Sequence, residues 1–314
     1  MRIILCGGAG FIGSHLLSKL SKNPENSVVV IDNLRTGKRE FIEEGLKRQN
    51  VEFIEADLSD LEKTVQFVKD ADVVYNLVAN ADIRGGTANT GIDLKYNLIT
   101  AYNILEAMRR ADIGRLVFFS SSGVYGEPNV IPTPENYSPM LPCSLYGASK
   151  IAGEAYVSAF GNSFGINSRI VRLVNIVGKN GTHGVIGDFI EKLEKNSNQM
   201  EILGDGNQLK SFLHISDCLD AVDAVVSNSD KSIDTYNIAN DDWIDVKSIA
   251  DIVAKAMGLE DVKYSFTGGE RGWIGDAPKV RLSIEKINKI GWKPKFNSRQ
   301  SVEMAAKEMI ESRK

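Results

Sequence analysis

Cysteine is scarce in this sequence, and the few present do not form a recognisable pattern. Cys6, Cys143 and Cys218 are far apart and odd in number. Such usage favours a reducing compartment and argues against a disulfide framework or a cysteine-based metal site. We therefore expect a cytoplasmic protein that holds no metal.

Long apolar runs and clusters of like charge are also missing. No apolar run approaches the roughly 18 residues of a membrane-spanning helix, and the first run is too short and too rich in glycine for a signal peptide. The 37 basic and 41 acidic residues are scattered and give a net charge of −4. We therefore expect no membrane and no nucleic-acid partner. A chain of 314 residues has room for one large α/β unit with a smaller second lobe.

A glycine motif near the start of the chain is the most informative feature present. An apolar run at 3–6 leads into Gly7, Gly8, Gly10 and Gly13, and a helical pattern follows. The spacing fits G-x-G-x-x-G, in which the glycines permit a sharp turn, close approach of a pyrophosphate and tight packing of the helix. The helix N-terminus then attracts the phosphates. The alternative is a buried turn whose glycines serve packing only. The cofactor contacts expected in this motif are Gly7, Gly10, Phe11, Ile12 and Gly13.

An acid ends the second apolar run, which covers 27–31. Asp32 lies nineteen residues after Gly13, close to the spacing of a carboxylate that binds a ribose 2′-hydroxyl. A carboxylate there repels a 2′-phosphate, so the pattern predicts NAD rather than NADP. Arg35 and Lys38 follow in the next loop and leave NADP open, because either could meet a phosphate.

Apolar strands and helical patterns alternate as far as about residue 175, which predicts an α/β fold with a doubly wound, parallel, Rossmann-type sheet. Further strands are expected at 51–56, 73–78, 116–119 and 168–173, with helices at 97–110 and 146–160. Glycine-rich loops then dominate and indicate a smaller C-terminal substrate lobe. We expect an NAD-binding domain over 1–174 with a return near 208–240, and a substrate lobe over 175–207 and 241–314.

Tyr146 and Lys150 stand four residues apart near a predicted helix start, so their side chains share one face. A lysine cation beside a tyrosine lowers the phenol pKa and creates a general base. A solvated helix face produces the same spacing, so the pair alone is weak evidence. Ser120, Ser121 and Ser122 follow the fifth strand, where a hydroxyl could bridge a substrate and Tyr146. For Ser120 and Ser122 we favour a turn that satisfies backbone groups.

Together, the glycine motif, Asp32, the segment 120–126 and Tyr146-x-x-x-Lys150 resemble the extended short-chain dehydrogenase/reductase superfamily. Within it, the chain resembles the NAD-dependent sugar-nucleotide epimerase/dehydratase family, especially its UDP-hexose 4-epimerases. This resemblance covers nearly the whole chain and implies three catalytic residues, which are Ser121, Tyr146 and Lys150. It also implies cofactor contacts on the adenine side, at Asn33, Asp57 and Leu58, with Tyr146 and Lys150 adding to the cofactor site.

The later part of the chain resembles the family's substrate-binding segments. Asn175 falls on an asparagine that holds the nucleotide diphosphate, and Lys210 stands where the family usually has arginine. Lysine keeps the charge but loses bidentate phosphate binding. Arg271 and Asp276 resemble a phosphate- and ribose-binding pair, although their spacing is longer than usual. Without the resemblance, these charges could equally belong to solvated loops.

Ser122 and Gly123 occupy the places where the family's dehydratases carry an Asp-Glu pair and its decarboxylases a Glu. Eliminating water needs an acid there, so the resemblance implies epimerisation: reversible inversion at C4 of a UDP-hexose through a 4-keto intermediate, with NAD tightly bound. The glucose, N-acetylglucosamine and glucuronate series all remain open. A homodimer through the helices near 97–110 and 146–160 is also implied. Alternatives are another reductase or decarboxylase of the superfamily, and a non-catalytic NAD-binding interaction protein.

Overall fold

Two units make up the structure, a computed structural model that describes residues 1–229 and 231–313. The first unit comprises Met1–Val124, Leu145–Arg172 and Val225–Tyr236. The second comprises Tyr125–Ser144, Leu173–Ala224 and Asn237–Lys314. Residues 230 and 314, which the predicted domain ranges include, lie outside the described residues.

The strands and helices follow the predicted alternation through the first half of the chain. In chain order the strands are β1 Arg2–Cys6, β2 Ser27–Asp32, β3 Val51–Glu55, β4 Val73–Asn76, β5 Arg115–Ser121, β6 Asn167–Leu173, β7 Asn175–Val177, β8 Gln199–Ile202, β9 Leu209–Lys210, β10 Phe212–His214, β11 Ile233–Ile238, β12 Ile244–Asp245, β13 Lys263–Phe266 and β14 Lys279–Val280. The helices are α1 Phe11–Leu20, α2 Glu43–Leu46, α3 Leu61–Val68, α4 Gly91–Asp93, α5 Thr100–Arg110, α6 Leu145–Phe164, α7 Val185–Lys195, α8 Ile215–Asn228, α9 Val246–Ala256, α10 Glu285–Lys289 and α11 Ser298–Glu311.

The first unit is built on a seven-stranded sheet in the order β11-β6-β5-β4-β1-β2-β3. Strand β1 pairs in parallel with both β2 and β4, so the strand order reverses beside it. In such sheets, ligands bind beyond the carboxyl ends of the strands at this reversal. The apolar run of β1 is buried because helices cover both faces of the sheet. The predicted Rossmann-type fold is confirmed.

A separate apolar core supports the second unit. Helices α7, α9 and α11 contribute Ile190, Val253 and Val302 to it, all fully buried. Short strand pairs complete this unit: β7 with β10, β8 with β13, and β9 between β12 and β14.

The division into units differs from the predicted domains at two places. Residues 125–144 belong to the second unit, where the Thr133 N–H donates to the Arg281 carbonyl and the Tyr125 hydroxyl to the Asn237 amide. Residues 208–224 also belong to the second unit, because β10 pairs with β7. Of the return predicted near 208–240, the part that belongs to the first unit is Val225–Tyr236.

Helix boundaries near the site differ slightly from the sequence prediction. The helix expected at 97–110 is α5, and a π-helical turn, Leu94–Ile99, precedes it. Such turns occur frequently at functional sites. Helix α6 begins one residue before Tyr146, which places this tyrosine in its first turn. Within the described ranges, no helix is both long enough and apolar enough to span a membrane.

Candidate active site

Three glycines shape a cradle at the carboxyl end of β1. Gly7 has φ +80°, and a Cβ there would lie 2.9 Å from the backbone nitrogen of Val78. A Cβ at Gly13 would lie 2.6 Å from the Gly7 carbonyl oxygen, so α1 packs directly on the loop. At Gly10, by contrast, a Cβ would approach only the Gly7 carbonyl, at 3.3 Å. The space beside Gly10 is therefore open to a ligand.

The cradle leads directly into the N-terminus of α1. Gly10 is the residue before the helix and, having no side chain, caps none of its N–H groups. The first turn, which includes Phe11 and Ile12, thus presents N–H groups and partial positive charge, as anion sites at helix N-termini do. These features fit the pyrophosphate of a dinucleotide.

Asp32 links the end of β2 to this cradle. Its carboxylate accepts hydrogen bonds from the backbone N–H groups of Ala9, at 3.0 Å, and Leu34, at 2.9 Å. Burial raises the pKa of Asp32, while these hydrogen bonds act in the opposite direction. Each carboxylate oxygen can accept a further hydrogen bond. The residue is therefore positioned to receive a ribose hydroxyl.

The two cations that left NADP open have partners within the protein. Arg35 donates to the Asn80 side chain at 3.2 Å, and its guanidinium carbon lies 4.3 Å from the centroid of the Tyr96 ring. The Lys38 ammonium lies 3.4 Å from the Glu40 carboxylate. Arg35 is therefore engaged by Asn80 and Tyr96, whereas the Lys38–Glu40 pair is exposed and weak.

The residues expected on the adenine side lie where β2 and β3 end. Asp57 accepts a hydrogen bond from the Ser59 N–H at 2.8 Å. Burial works to raise the pKa of Asp57, but hydrogen bonds from Ser59 and Asn33 and the charge of Lys95 hold it below its ordinary value. Leu58 is buried beside it. Asn33 and Asp57 are thus brought together as a polar pair.

Ser121, Tyr146 and Lys150 also come together. The Ser121 hydroxyl, at the end of β5, accepts from the Gly123 N–H at 3.1 Å and is hydrogen-bonded to the Tyr146 phenol. The Lys150 ammonium lies one helical turn further along α6. It donates to the Phe119 carbonyl at 2.8 Å and lies 5.8 Å from the centroid of the Tyr146 ring.

The pKa of Tyr146 moves in the direction opposite to the sequence expectation. Burial raises it to about 12, which outweighs the hydrogen bond from Ser121, and the charge of Asp93 raises it further. Burial lowers the pKa of Lys150 to about 8, against the charges of Glu154 and Asp93. The lysine ammonium points to a backbone carbonyl, so it does not offset the burial of the phenol.

Ser120 does not satisfy backbone groups as expected. Its hydroxyl donates to the Glu154 carboxylate at 2.5 Å, and that carboxylate also receives the Arg172 guanidinium at 2.6 Å. All three side chains are buried. Ser122 and Gly123 lie in a 3-10 turn after β5, and neither supplies a carboxylate.

In the second unit, three of the expected substrate residues converge. The Lys210 ammonium pairs with the Asp276 carboxylate at 2.6 Å. Arg271 donates to the Asp276 carbonyl at 2.9 Å. Asn175 is exposed on β7, where its amide donates to the Ser211 carbonyl at 3.0 Å. The structure therefore joins Lys210, Arg271 and Asp276, and places Asn175 on a neighbouring strand pair.

Sequence reasoning missed two acids. Glu127 holds Arg271 in a bidentate pair, with distances of 2.5 and 2.9 Å. Its position directly after the Tyr125-Gly126 turn was the available signal. Asp93 is buried in α4 and its charge acts on both Tyr146 and Lys150. The available signal for Asp93 was its spacing of four residues from Asn97, which places the two side chains on one helix face.

Metal ligands do not cluster in the part of the chain that the structure describes: no group of three or more His, Cys, Asp or Glu could hold an ion there. What the first unit does assemble is a dinucleotide cradle and, within the same unit, a hydrogen-bonded tyrosine, serine and lysine.

Comparison with known proteins agrees with this arrangement. The model of the NAD dependent epimerase/dehydratase family matches residues 3–239. A Methanocaldococcus jannaschii protein assigned as a UDP-glucose 4-epimerase is 36% identical over 307 residues, which cover 96% of this chain and 95% of that protein. UDP-glucuronic acid decarboxylase 3 of Arabidopsis thaliana is 29% identical, over 96% of this chain and 87% of its own.

Solved structures show the same likeness. A crystal structure of a UDP-galactose 4-epimerase is 36% identical and covers 99% of each chain, with a TM-score of 0.89. UDP-glucuronic acid 4-epimerase from Bacillus cereus, in complex with UDP-glucuronic acid and NAD, is 26% identical, covers 99% of this chain and 100% of its own, and has a TM-score of 0.87. The chain therefore belongs to the NAD-dependent epimerase/dehydratase family of the extended short-chain dehydrogenase/reductase superfamily, and it is an NAD-dependent enzyme.

Proposed function

We propose that this enzyme inverts C4 of a UDP-hexose reversibly, through a 4-keto intermediate. The observation that carries the proposal is the set of Ser121, Tyr146 and Lys150, with no carboxylate at Ser122 or Gly123. The similarity to a UDP-galactose 4-epimerase supports it. The substrate belongs to the glucose, N-acetylglucosamine or glucuronate series.

In this mechanism Tyr146 exchanges the proton of the C4 hydroxyl, and Ser121, hydrogen-bonded to the phenol, bridges the two groups. Bound NAD supplies the acceptor and the donor of hydride at C4. Lys150, whose pKa is about 8, is mostly an ammonium at pH 7. Its ammonium donates to the Phe119 carbonyl in this structure, so its positive charge would favour the phenolate form of Tyr146 only on turning towards the phenol. Because no net redox change occurs, we expect NAD to stay tightly bound.

We further propose that the first unit binds NAD and the second the UDP group. Lys210 and Arg271 would bind the diphosphate, Asp276 the ribose, and Asn175 a diphosphate oxygen. Both cations are paired with carboxylates, so the diphosphate competes with Asp276 for Lys210 and with Glu127 for Arg271. Firm binding of UDP with loose contacts to the hexose would let the 4-keto sugar rotate.

Decarboxylation and dehydration are the competing reactions, since a decarboxylase is among the relatives. Both reactions depend on acids that this family carries after the catalytic Ser or Thr, and Ser122 and Gly123 offer none. A reductase of the same superfamily would instead oxidise reduced cofactor during turnover. A non-catalytic NAD-binding protein would have no use for the assembled tyrosine, serine and lysine.

We also propose a homodimer through α5 and α6. Aromatic side chains on these helices are exposed, with Tyr102 at 36%, Tyr156 at 44% and Phe164 at 54%. The Tyr102 and Tyr156 rings contact each other, with centroids 6.1 Å apart, and the Phe160 ring connects both of them to Phe164. An exposed cluster of large apolar groups of this kind is typical of an interaction surface. The cytoplasmic location expected from the cysteines stays a prediction.

The substitution Tyr146→Phe tests the catalytic assignment. It removes the proton-exchanging hydroxyl but keeps the ring, so turnover should fall at least about a thousandfold while NAD remains in the purified protein. Tyr264→Phe, on β13 of the second unit, is the matched control and should keep near-normal activity. Substantial turnover in Tyr146→Phe would contradict the assignment.

A further inference from the structure

Asp93 is a buried acid that the proposed mechanism does not use. It ends α4 and is 1% exposed. Its Oδ1 accepts hydrogen bonds from the side-chain amides of Asn80, at 3.0 Å, and Asn97, at 3.2 Å. Its Oδ2 is buried too, yet has no hydrogen-bond partner among the described residues. A carboxylate in such surroundings is costly to maintain and calls for a function.

A chain of hydrogen bonds connects Asp93 to the first turn of α6. The Asn97 amide that binds Asp93 also donates to the Ser149 hydroxyl at 2.8 Å. Ser149 in turn donates to the Tyr146 carbonyl at 2.7 Å. The other end of the Asn97 amide accepts from the backbone N–H of Asn80 at 2.7 Å. Asp93 therefore fixes the orientation of the amide that supports the turn carrying Tyr146.

The surroundings of Asp93 fit closely around its carboxylate. A Cβ at Gly86 would lie 2.4 Å from Oδ2, so the short turn Gly85–Thr87 approaches as near as its backbone allows. The side chain consequently has little freedom to turn towards solvent. Its negative charge is held in place beside the catalytic helix.

Two acids act on the pKa of Lys150, and the charge of Glu154 acts more strongly than that of Asp93. The Glu154 carboxylate, however, is already paired with the buried Arg172 guanidinium. On the other side, the cations of Arg35 and Lys95 lie against the Tyr96 ring, and Arg35 also reaches Asn80. Asp93 is thus the acid near Lys150 whose charge no guanidinium neutralises directly.

We propose that Asp93 is a positioning residue that holds the first turn of α6 through Asn97 and Ser149, and that its negative charge, fixed beside this turn, acts on Lys150. This role of Asp93 rests on the proposed function, which gives Tyr146 and Lys150 their parts in the reaction. The negative charge favours the lysine ammonium and opposes the tyrosine phenolate, so it raises the pKa of both groups.

The substitution Asp93→Asn separates charge from hydrogen bonding, because the asparagine oxygen can still accept from Asn80 and Asn97. Removing the charge should lower the pKa of Lys150 and of Tyr146, each by about one unit. Both limbs of the kcat profile should then move to lower pH, with KM for the UDP-sugar unchanged. A purely structural role would lower kcat at every pH without moving either limb.

The titration of Lys150 can be followed without any activity, by NMR of protein labelled with ¹³C-lysine and assigned with Lys150→Arg. Asp82→Asn, the same change at an exposed acid in the segment that leads to α4, is the control and should leave the Lys150 titration unmoved. An unshifted Lys150 in Asp93→Asn would overturn the proposal.

Two further measurements keep the proposal testable if Asp93→Asn fails to fold. Asp93→Ser removes the charge and is smaller, so it relieves the close approach of Gly86. In the unmodified enzyme, a Lys150 that is already neutral at pH 7 would also overturn the action of the Asp93 charge on Lys150. If the enzyme titrates as expected but does not invert C4, the proposed function fails while the role of Asp93 stands.

Discussion

Two glycines of the same motif have different roles, ligand access at Gly10 and helix packing at Gly13, and alanine substitutions can distinguish these roles. In Gly10→Ala the new Cβ approaches only the Gly7 carbonyl, at 3.3 Å, and otherwise enters the cradle at the start of α1. We expect an unchanged melting temperature and NAD binding weakened at least about tenfold. Thermal unfolding by circular dichroism and the NAD content of the purified protein measure the two effects.

Gly13→Ala is the matched substitution. Its Cβ would lie 2.6 Å from backbone atoms of both Gly7 and Gly8, which cannot yield as a flexible side chain can. Overpacking of this kind costs about 1–3 kcal/mol, so the melting temperature should fall. If Gly10→Ala instead kept its NAD, or Gly13→Ala its stability, the roles assigned to the cradle would be incorrect.

A substitution at Glu127 tests the proposed diphosphate site. Because Glu127 holds Arg271 in a bidentate pair, Glu127→Gln should free the guanidinium and tighten UDP binding by about twofold to fivefold. The gain should shrink at high salt. Isothermal titration calorimetry with UDP measures it, and Glu44→Gln, at an exposed pair elsewhere, serves as control. Weaker binding in Glu127→Gln would show that the acid contributes to the site.

Among the secondary-structure elements, one buried ion pair joins β5, β6 and α6. Glu154, 6% exposed, receives Arg172, 5% exposed, and the Ser120 hydroxyl. Glu154→Ala breaks this buried ion pair by removing the carboxylate, which should lower the free energy of unfolding by about 3–5 kcal/mol in urea titrations. Glu191→Ala, at an exposed pair with Arg313, should have no measurable effect. Equal stability in the two variants would contradict this account.

The elements were largely predictable because their signals are local. Apolar runs and glycine spacing predicted β1, β2, α1 and the cradle, and the four-residue spacing predicted that Tyr146 and Lys150 share a face of α6. The raised pKa of Tyr146 was not predictable, since burial depends on the packing of distant segments. The same holds for residues 125–144, whose place in the second unit depends on contacts with Arg281 and Asn237.

Contacts between loops and helices could not be predicted from the sequence either. Asp93 and Asn80 meet through a turn whose course no periodicity encodes, so their hydrogen bond was not foreseen. Glu127 was missed because its partner Arg271 lies far along the chain. In both cases the role of the acid depends on a partner that only the folded chain brings next to it.

For the whole molecule, the proposed dimer gives a direct prediction. The enzyme should elute with twice the chain mass of 34.4 kDa in size-exclusion chromatography with light scattering. Phe164→Glu places a charge in the exposed aromatic cluster of α5 and α6 and should give monomers, because burying an unpaired charge is costly. Phe266→Glu, at another exposed aromatic outside this cluster, should leave the dimer intact. A monomeric wild-type enzyme would refute the dimer.

For the whole enzyme, analysis of the products decides which reaction it catalyses. Purified protein would be incubated separately with UDP-glucose, UDP-N-acetylglucosamine and UDP-glucuronate, and the products resolved by ¹H NMR. We expect at least one of them to be converted to its C4 epimer, with no net formation or loss of NADH. A product that has lost carbon dioxide or water, or turnover that consumes reduced cofactor, would contradict it.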